Sequence, residues 1–337
     1  MHLIALVESP DHVCCRYRLR AFRDQLAAAG NTLELRSLPH GWWDRVRVLA
    51  GVRRADAVVL QRRLLPAWQL GLLRRRARRL IFDFDDAVFL RDSYAPKGQD
   101  SPRRWRRFAA TVRAADAIVA GNDWLATMAR AAGAAGQVRV IPSCVDPALY
   151  PRAKHTASDG VRLVWVGSSS TLRGLEQVRD MLSAVGAANP GVRLRLVCDR
   201  FPSFGGMSVE PVAWSAATES ADLAAADIAI SWVPDDDWSR GKCGLKVLQY
   251  MAAGLPVVAN PVGVQAELVR HGETGFLASS PAEWVESVRR LAADPELRRR
   301  MGALGRWQVE GEYSVTAGGR RWRELLAALT AGRRLAG

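Results

Sequence analysis

Short apolar runs of strand length alternate with stretches in which apolar residues recur every three or four positions, and this alternation continues along a chain of 337 residues. Leu3–Val7 gives way to Arg18–Ala29, where Leu19, Phe22 and Leu26 share a helical face. Leu33–Leu35, Ala57–Leu60, Leu80–Phe84 and Ala117–Ala120 continue the series. Apolar runs too short for helices, with helical segments between them, predict the buried strands and crossovers of parallel sheets. A second series follows Pro142 and the polar stretch Lys154–Gly160: Leu163–Val166, Leu194–Cys198, Ile228–Trp232 and Val257–Ala259. The expected fold class is therefore α/β, with two Rossmann-like doubly wound domains, 1–150 and 151–310, facing across a cleft. A ligand is expected at the carboxyl ends of the strands, within that cleft. Trp322, Leu325, Leu326 and Leu329 make 311–337 an amphipathic helix, expected to pack back towards the N-terminal domain.

Between Arg240 and Gly263 one helix is written with unusual clarity. Leu245, Leu248, Met251 and Ala252 fall at helical spacing, Gly254 marks the stop, and Pro256 prevents continuation. Lys242 and Lys246 stand four apart at its start, and are expected on one face, where their charges repel each other and oppose the helix dipole. A bound anion relieves both penalties. Gly241 and Gly244, without side chains, are read as letting a ligand approach the backbone there.

Composition sharpens this reading, because the chain has 48 Lys and Arg residues and only four are lysine: Lys97, Lys154, Lys242 and Lys246. A compact ammonium retained where the composition drives toward Arg fits a phosphate held as a point charge. The five scattered cysteines contain no C-x-x-C pair, so neither a disulfide framework nor a zinc site is indicated. No leader and no apolar run near twenty residues is evident, which predicts a cytoplasmic protein.

The net charge of +14 is uneven: residues 1–150 carry 25 basic and 14 acidic side chains, against 23 and 20 in residues 151–337. Arg74–Arg79 and Arg103–Arg107 bring basic clusters, with Trp42, Trp43, Trp68 and Trp105 interleaved. Such clusters suit an anionic membrane surface at the inner face of the cell membrane; solvated arginine faces are the plainer account. No nucleic-acid partner is expected, since no recognition signature for one is present.

Gly244, Met251, Ala252, Gly254, Pro256, Val257, Val258 and Ala259 stand in register with the segment Glu-x-Phe-Gly-x-x-x-x-Glu-Ala-Met-Ala-x-Gly-x-Pro-Val-Val-Ala. On these residues the chain resembles the family-4 glycosyltransferases of GT-B fold. Gly263, Glu267, Gly272, Thr274, Gly275 and Phe276 resemble that family's next block, and Val166-Gly167 with Arg173-Gly174 its diphosphate loop. The departures are Gly241 and Gln249 where the family has glutamates, and Ser168 where it has a loop arginine. Lys-Cys-x-x-Lys and Gln-Tyr-Met-Ala resemble a subset found in polysaccharide gene clusters.

The resemblance implies transfer of a sugar from a nucleotide-diphosphate donor, with retention, to a lipid-linked or growing glycan acceptor. The alternative is a catalytically inactive GT-B protein that binds nucleotide sugar or serves as a scaffold. Donor binding is expected from Gly167, Arg173, Gly241, Lys242, Gly244, Lys246 and Gln249, and Gln249 is expected to reach ribose hydroxyls. The catalytic candidates are Arg173, Lys242 and Lys246, aimed at charge on the departing diphosphate, with Asp86 and Asn122. Ser9, Arg16, Arg18, Arg62, Asp85 and Asp86 are the acceptor-side candidates; Asp85 and Asp86 read equally well as strand-end caps or partners of arginines. No metal or other cofactor is expected.

Overall fold

The computed structural model describes residues 1–156 and 160–331. The expected linker Lys154–Gly160 and the last residues of the expected terminal helix therefore fall partly outside the described residues. The chain divides into two compact units, one of residues 1–144, 236–243 and 315 onward, the other of residues 145–235 and 244–314.

In the first unit β1 (His2–Val7), β2 (Thr32–Ser37), β3 (Ala57–Gln61), β4 (Leu80–Phe84), β5 (Ala117–Ala120) and β6 (Gln137–Val140) form a parallel sheet ordered β2-β1-β3-β4-β5-β6. Strands β3, β4 and β5 are buried along their whole length, as strands covered by helices on both faces must be. The helix Val315–Ala331 belongs to this unit: Trp322, Leu325 and Leu326 pack with Leu3, Ala5, Val7 and Phe22. Gly318 and Gly319 permit that approach, since a Cβ on Gly319 would come within 2.6 Å of Gln25.

In the second unit β7 (Val161–Val166), β8 (Val192–Cys198), β9 (Ser208–Ala213), β10 (Ile228–Ser231), β11 (Val257–Ala259) and β12 (Gly275–Leu277) form a parallel sheet ordered β12-β11-β10-β7-β8-β9. Two of its helices start on well-formed caps: Ser280 and Glu283 make a reciprocal capping box, and Asp294 caps the helix that Pro295 opens. Each sheet reverses its winding once, between β1 and β3 in one unit and between β7 and β10 in the other. Such switch points are where doubly wound sheets receive ligands.

Candidate functional site

The segment read as one helix with two lysines on one face is two pieces. Asp236 caps a short helix, Asp237–Arg240, by accepting from the Ser239 amide at 2.8 Å. The next helix, Leu245–Ala252, begins only after Gly244, which sits in the left-handed region at φ 64°. Lys242 is thus outside the helix and in the first unit; Lys246 is inside it and in the second. The expectation of a shared helical face is corrected accordingly, and the cause is the break that Gly244 introduces.

The glycines also serve a different end. A Cβ on Gly241 would lie 2.7 Å from the Ala87 Cβ and 2.8 Å from its nitrogen; one on Gly244 would lie 2.5 Å from Leu268. Protein atoms fill the space that was expected to admit a ligand beside both α-carbons.

In the second unit the site is built where β7 ends. Ser169 at the start of the helix Ser169–Gln177 is held by Asp199, whose carboxylate accepts from the Ser169 amide at 2.6 Å and its hydroxyl at 2.9 Å. These bonds keep the Asp199 carboxyl below its ordinary range. The Lys246 ammonium donates to Thr171 Oγ1 at 3.1 Å and stands 4.0 Å over the Trp165 ring, a cation–π contact. A Cβ on Gly167 would collide with Trp165 and lie 2.6 Å from both the Lys246 Nζ and the Thr171 hydroxyl, so only glycine leaves this slot open. Arg173 lies exposed on the same helix as Thr171.

One turn along from Lys246, Gln249 is 4% exposed and its Nε2 donates to Glu219 at 2.6 Å and to the Tyr150 hydroxyl at 3.2 Å. The other Glu219 oxygen accepts from the Trp214 indole at 2.6 Å. The Gln249 amide nitrogen, expected to meet ribose, is therefore committed to protein partners. Sequence reasoning missed Glu219, Tyr150, Thr171 and Trp165. An acidic residue opening a helix shortly after a strand end was the available signal for Glu219.

In the first unit, side chains that follow β1, β3, β4 and β5 lie together at one edge. Arg62 holds a left-handed backbone, φ 58°, and bonds Cys14, Asp85 at 3.4 Å and Asp86 at 3.0 Å. Burial raises the Asp86 carboxyl, against the pull of Lys242 and Arg62. Burial likewise raises the Cys14 thiol, with Asp85 adding to it, so Cys14 is held protonated. Asn122 caps its helix through Leu125 and donates through Nδ2 to the carbonyls of Arg240 and Lys242, both at 3.0 Å. Its side chain anchors the Lys242 loop. The Lys242 ammonium itself lies 5.4 Å over the Trp238 ring.

Arg18 is placed otherwise than expected. It is 1% exposed, pairs with Asp83 at 2.6 Å and donates to the Ile141 carbonyl, so it is a core ion pair. Desolvation opposes its charge, but the Asp83 carboxylate outweighs this and keeps it protonated. Ser9 is half-buried just after β1, where its hydroxyl accepts from the Asp11 amide at 3.3 Å; Arg16 lies against the Tyr17 ring. Among the described residues no cluster of His, Cys, Asp and Glu could hold a metal ion, and no helix is long and apolar enough to cross a membrane.

Two Rossmann-like units, each a six-stranded parallel sheet with its candidate residues at the strands' carboxyl ends, define the GT-B fold. Solved structures share it along nearly the whole chain. Sucrose-phosphate synthase from Thermosynechococcus elongatus superposes with a TM-score of 0.74 at 19% identity, covering 98% of this chain and 99% of that one. Anabaena HepE, in complex with UDP and glucose, gives 0.70 at 17%, covering 97% and 99%. Residues 160–294 match the family model for Glycosyl transferases group 1. The D-inositol 3-phosphate glycosyltransferase of Acidothermus cellulolyticus is 32% identical over 235 residues, 59% of this chain and 51% of that protein. A trehalose synthase of Pyrococcus horikoshii is 35% identical over 86 residues, 26% of this chain and 21% of that protein. The matches thus span about a fifth to a half of these curated relatives' length.

Proposed function

We propose that the chain is a glycosyltransferase that moves a sugar from a nucleotide-diphosphate donor to a hydroxyl of a glycan or lipid-linked acceptor, in polysaccharide synthesis at the cytoplasmic membrane face. The observation that carries this is the Lys246 slot: an ammonium fixed by Thr171 and Trp165 beside Gly167, at the winding reversal of the sheet, inside the segment that matches Glycosyl transferases group 1. Cleavage of the glycosyl bond leaves charge on the departing diphosphate, and a cation already in place lowers that barrier more than one that must reorganise. Lys246 and Arg173 are assigned to that charge. Retention follows if the departing phosphate oxygen takes the acceptor proton on the face it leaves, which requires no separate carboxylate base. In the first unit Arg62, Asp85, Asp86 and Lys242 are assigned to the acceptor hydroxyl, with Ser9 and Arg16 nearby in sequence to β1.

The stacked, exposed Trp42 and Trp43, with exposed Trp68 and the arginine clusters, support binding to an anionic bilayer. Sedimentation with phosphatidylglycerol vesicles, lost on Trp42→Ala/Trp43→Ala, tests that part. For the donor, thermal shifts with UDP, GDP, TDP and ADP are expected to single out one nucleotide for wild type and none for Lys246→Ala. Turnover of the matching sugar nucleotide should fall on the order of a hundredfold in that variant. Full activity of Lys246→Ala refutes the assignment of Lys246, and no response of wild type to any nucleotide favours a scaffold.

A further inference from the structure

Resting on the acceptor assignment above, we infer that Asn122 is a positioning residue: it clamps the segment Gly241–Cys243 against the loop Asp85–Ala87, so that Lys242 faces Asp86 and the two serve the acceptor hydroxyl as one charge pair. The segment belongs to the first unit, although the chain before Asp236 and from Gly244 onward belongs to the second. Two contacts set its register. A Cβ on Gly241 would lie 2.7 Å from the Ala87 Cβ, and the Cys243 thiol donates to the Asp85 carbonyl at 3.3 Å. With Gly241 opposite Ala87 and Cys243 opposite Asp85, Lys242 stands opposite Asp86. Gly121 leaves room for this, since a Cβ there would collide with the Cys243 Sγ and lie 3.0 Å from the Asp85 Cα. Asn122, the next residue, is 5% exposed and donates to the carbonyls of Arg240 and Lys242, both at 3.0 Å, while its oxygen accepts from the Leu125 amide at 2.7 Å. Both side-chain N–H groups are thereby spent on the segment, so the amide holds Lys242 and has no donor left for a substrate. Besides Lys242, the charges facing Asp86 are Arg62 at 3.0 Å and Asp85; the Cys14 and Cys243 thiols, raised by burial, stay neutral. Burial and Asp85 both oppose ionisation, and the two cations offset them. The ionised form is the one that accepts from a hydroxyl without competing as a donor.

The test is a carbon NMR titration of the full chain labelled at its aspartate carboxyls, with the Asp86 signal identified by its loss in Asp86→Asn. Lys242→Met removes the charge and should move the Asp86 midpoint up by about one pH unit or more. Asn122→Ser keeps an oxygen to cap the helix but loses both donors, and should move the midpoint the same way. The double variant should go no further than Lys242→Met alone, since Asn122 acts through the lysine. A wild-type midpoint in Lys242→Met overturns the charge pair. A wild-type midpoint in Asn122→Ser, or an added shift in the double variant, overturns the clamp. No nucleotide or sugar enters the titration: absent nucleotide binding removes the function proposed above, whereas an unmoved midpoint removes this inference alone.

Discussion

Placing a glutamate at position 249 should damage this protein, because the environment there is built around an amide. In Gln249→Glu the group that donates to Glu219 at 2.6 Å becomes an acceptor, and two carboxylates meet in a site where residue 249 is 4% exposed. Both cannot ionise at that separation, so one carboxyl is pushed well above the unfolded value of about 4.3. A displacement of about two units corresponds to about 2.7 kcal/mol of lost stability at pH 8. The sign follows from proton uptake. The raised group favours folding fully only below the unfolded value, and that contribution disappears as pH rises through the folded one. Relative to wild type, the variant should therefore be destabilised by about 3 kcal/mol at pH 8 and by far less near pH 4.5, measured by equilibrium urea unfolding. The exchanged pair, Glu219→Gln with Gln249→Glu, re-creates a donor facing an acceptor and should recover most of the loss at pH 8. Wild-type stability of Gln249→Glu at pH 8, or no rescue by the exchange, would refute this account of the cluster.

Two further outcomes follow from the structure. Gly241→Ala would force a Cβ to within 2.7 Å of Ala87, so equilibrium unfolding should show about 1–3 kcal/mol of destabilisation, and an unperturbed variant would contradict the packing. His155 bonds the Gly254 carbonyl at 2.7 Å through Nε2, its Nδ1 is buried without a partner, and burial holds it below the ordinary value of 6.5. The unfolded chain then takes up the proton first, so the His155 contribution is complete above pH 6.5 and lost as pH falls below it; the difference from His155→Gln in unfolding curves should show that slope.

Most strands that were legible in the sequence are largely buried; β2, announced by Leu33–Leu35 and found at Thr32–Ser37, is the exception, with Leu33 alone buried. β1, β3, β4 and β5, and β7, β8, β10 and β11, lie on the apolar runs that announced them, within a residue or two. β6, β9 and β12 were not announced. The first two alternate between exposed and half-buried positions, and β9 contains Pro211, which counts against a strand unless it lies at an edge, where β9 is. β12 has three residues, too few for a pattern. Arg18–Ala29 read as one helix; it is two short helices and a tighter turn, because Leu19 leaves the helical region at ψ −56° and φ −131°. At the proposed site, Lys246 stood out because lysine is scarce in this chain, and Gly167 through the family resemblance. Glu219 did not, since its partner lies 30 positions away and only the fold joins them.

Gly241 and Gln249, which differ from the motif the segment resembles, each have a packing account. Gly241 is small because Ala87 occupies the space, and Gln249 is an amide whose nitrogen donates to the Glu219 carboxylate, where a second carboxylate could not. In a chain with 48 basic side chains and four lysines, position 246 is one of the four. The slot fits an ammonium: the Nζ stands 4.0 Å over Trp165, hydrogen-bonded to Thr171, with the bare α-carbon of Gly167 beside it. A guanidinium is wider, and its fork would need space that Gly167 and Trp165 do not leave. Lys246→Arg keeps the charge and should nevertheless lose at least about tenfold in nucleotide affinity, because the charge can no longer sit where the ammonium did. Should Lys246→Arg bind nucleotide as wild type does, the slot is not selective for an ammonium, and only the sign of the charge matters there.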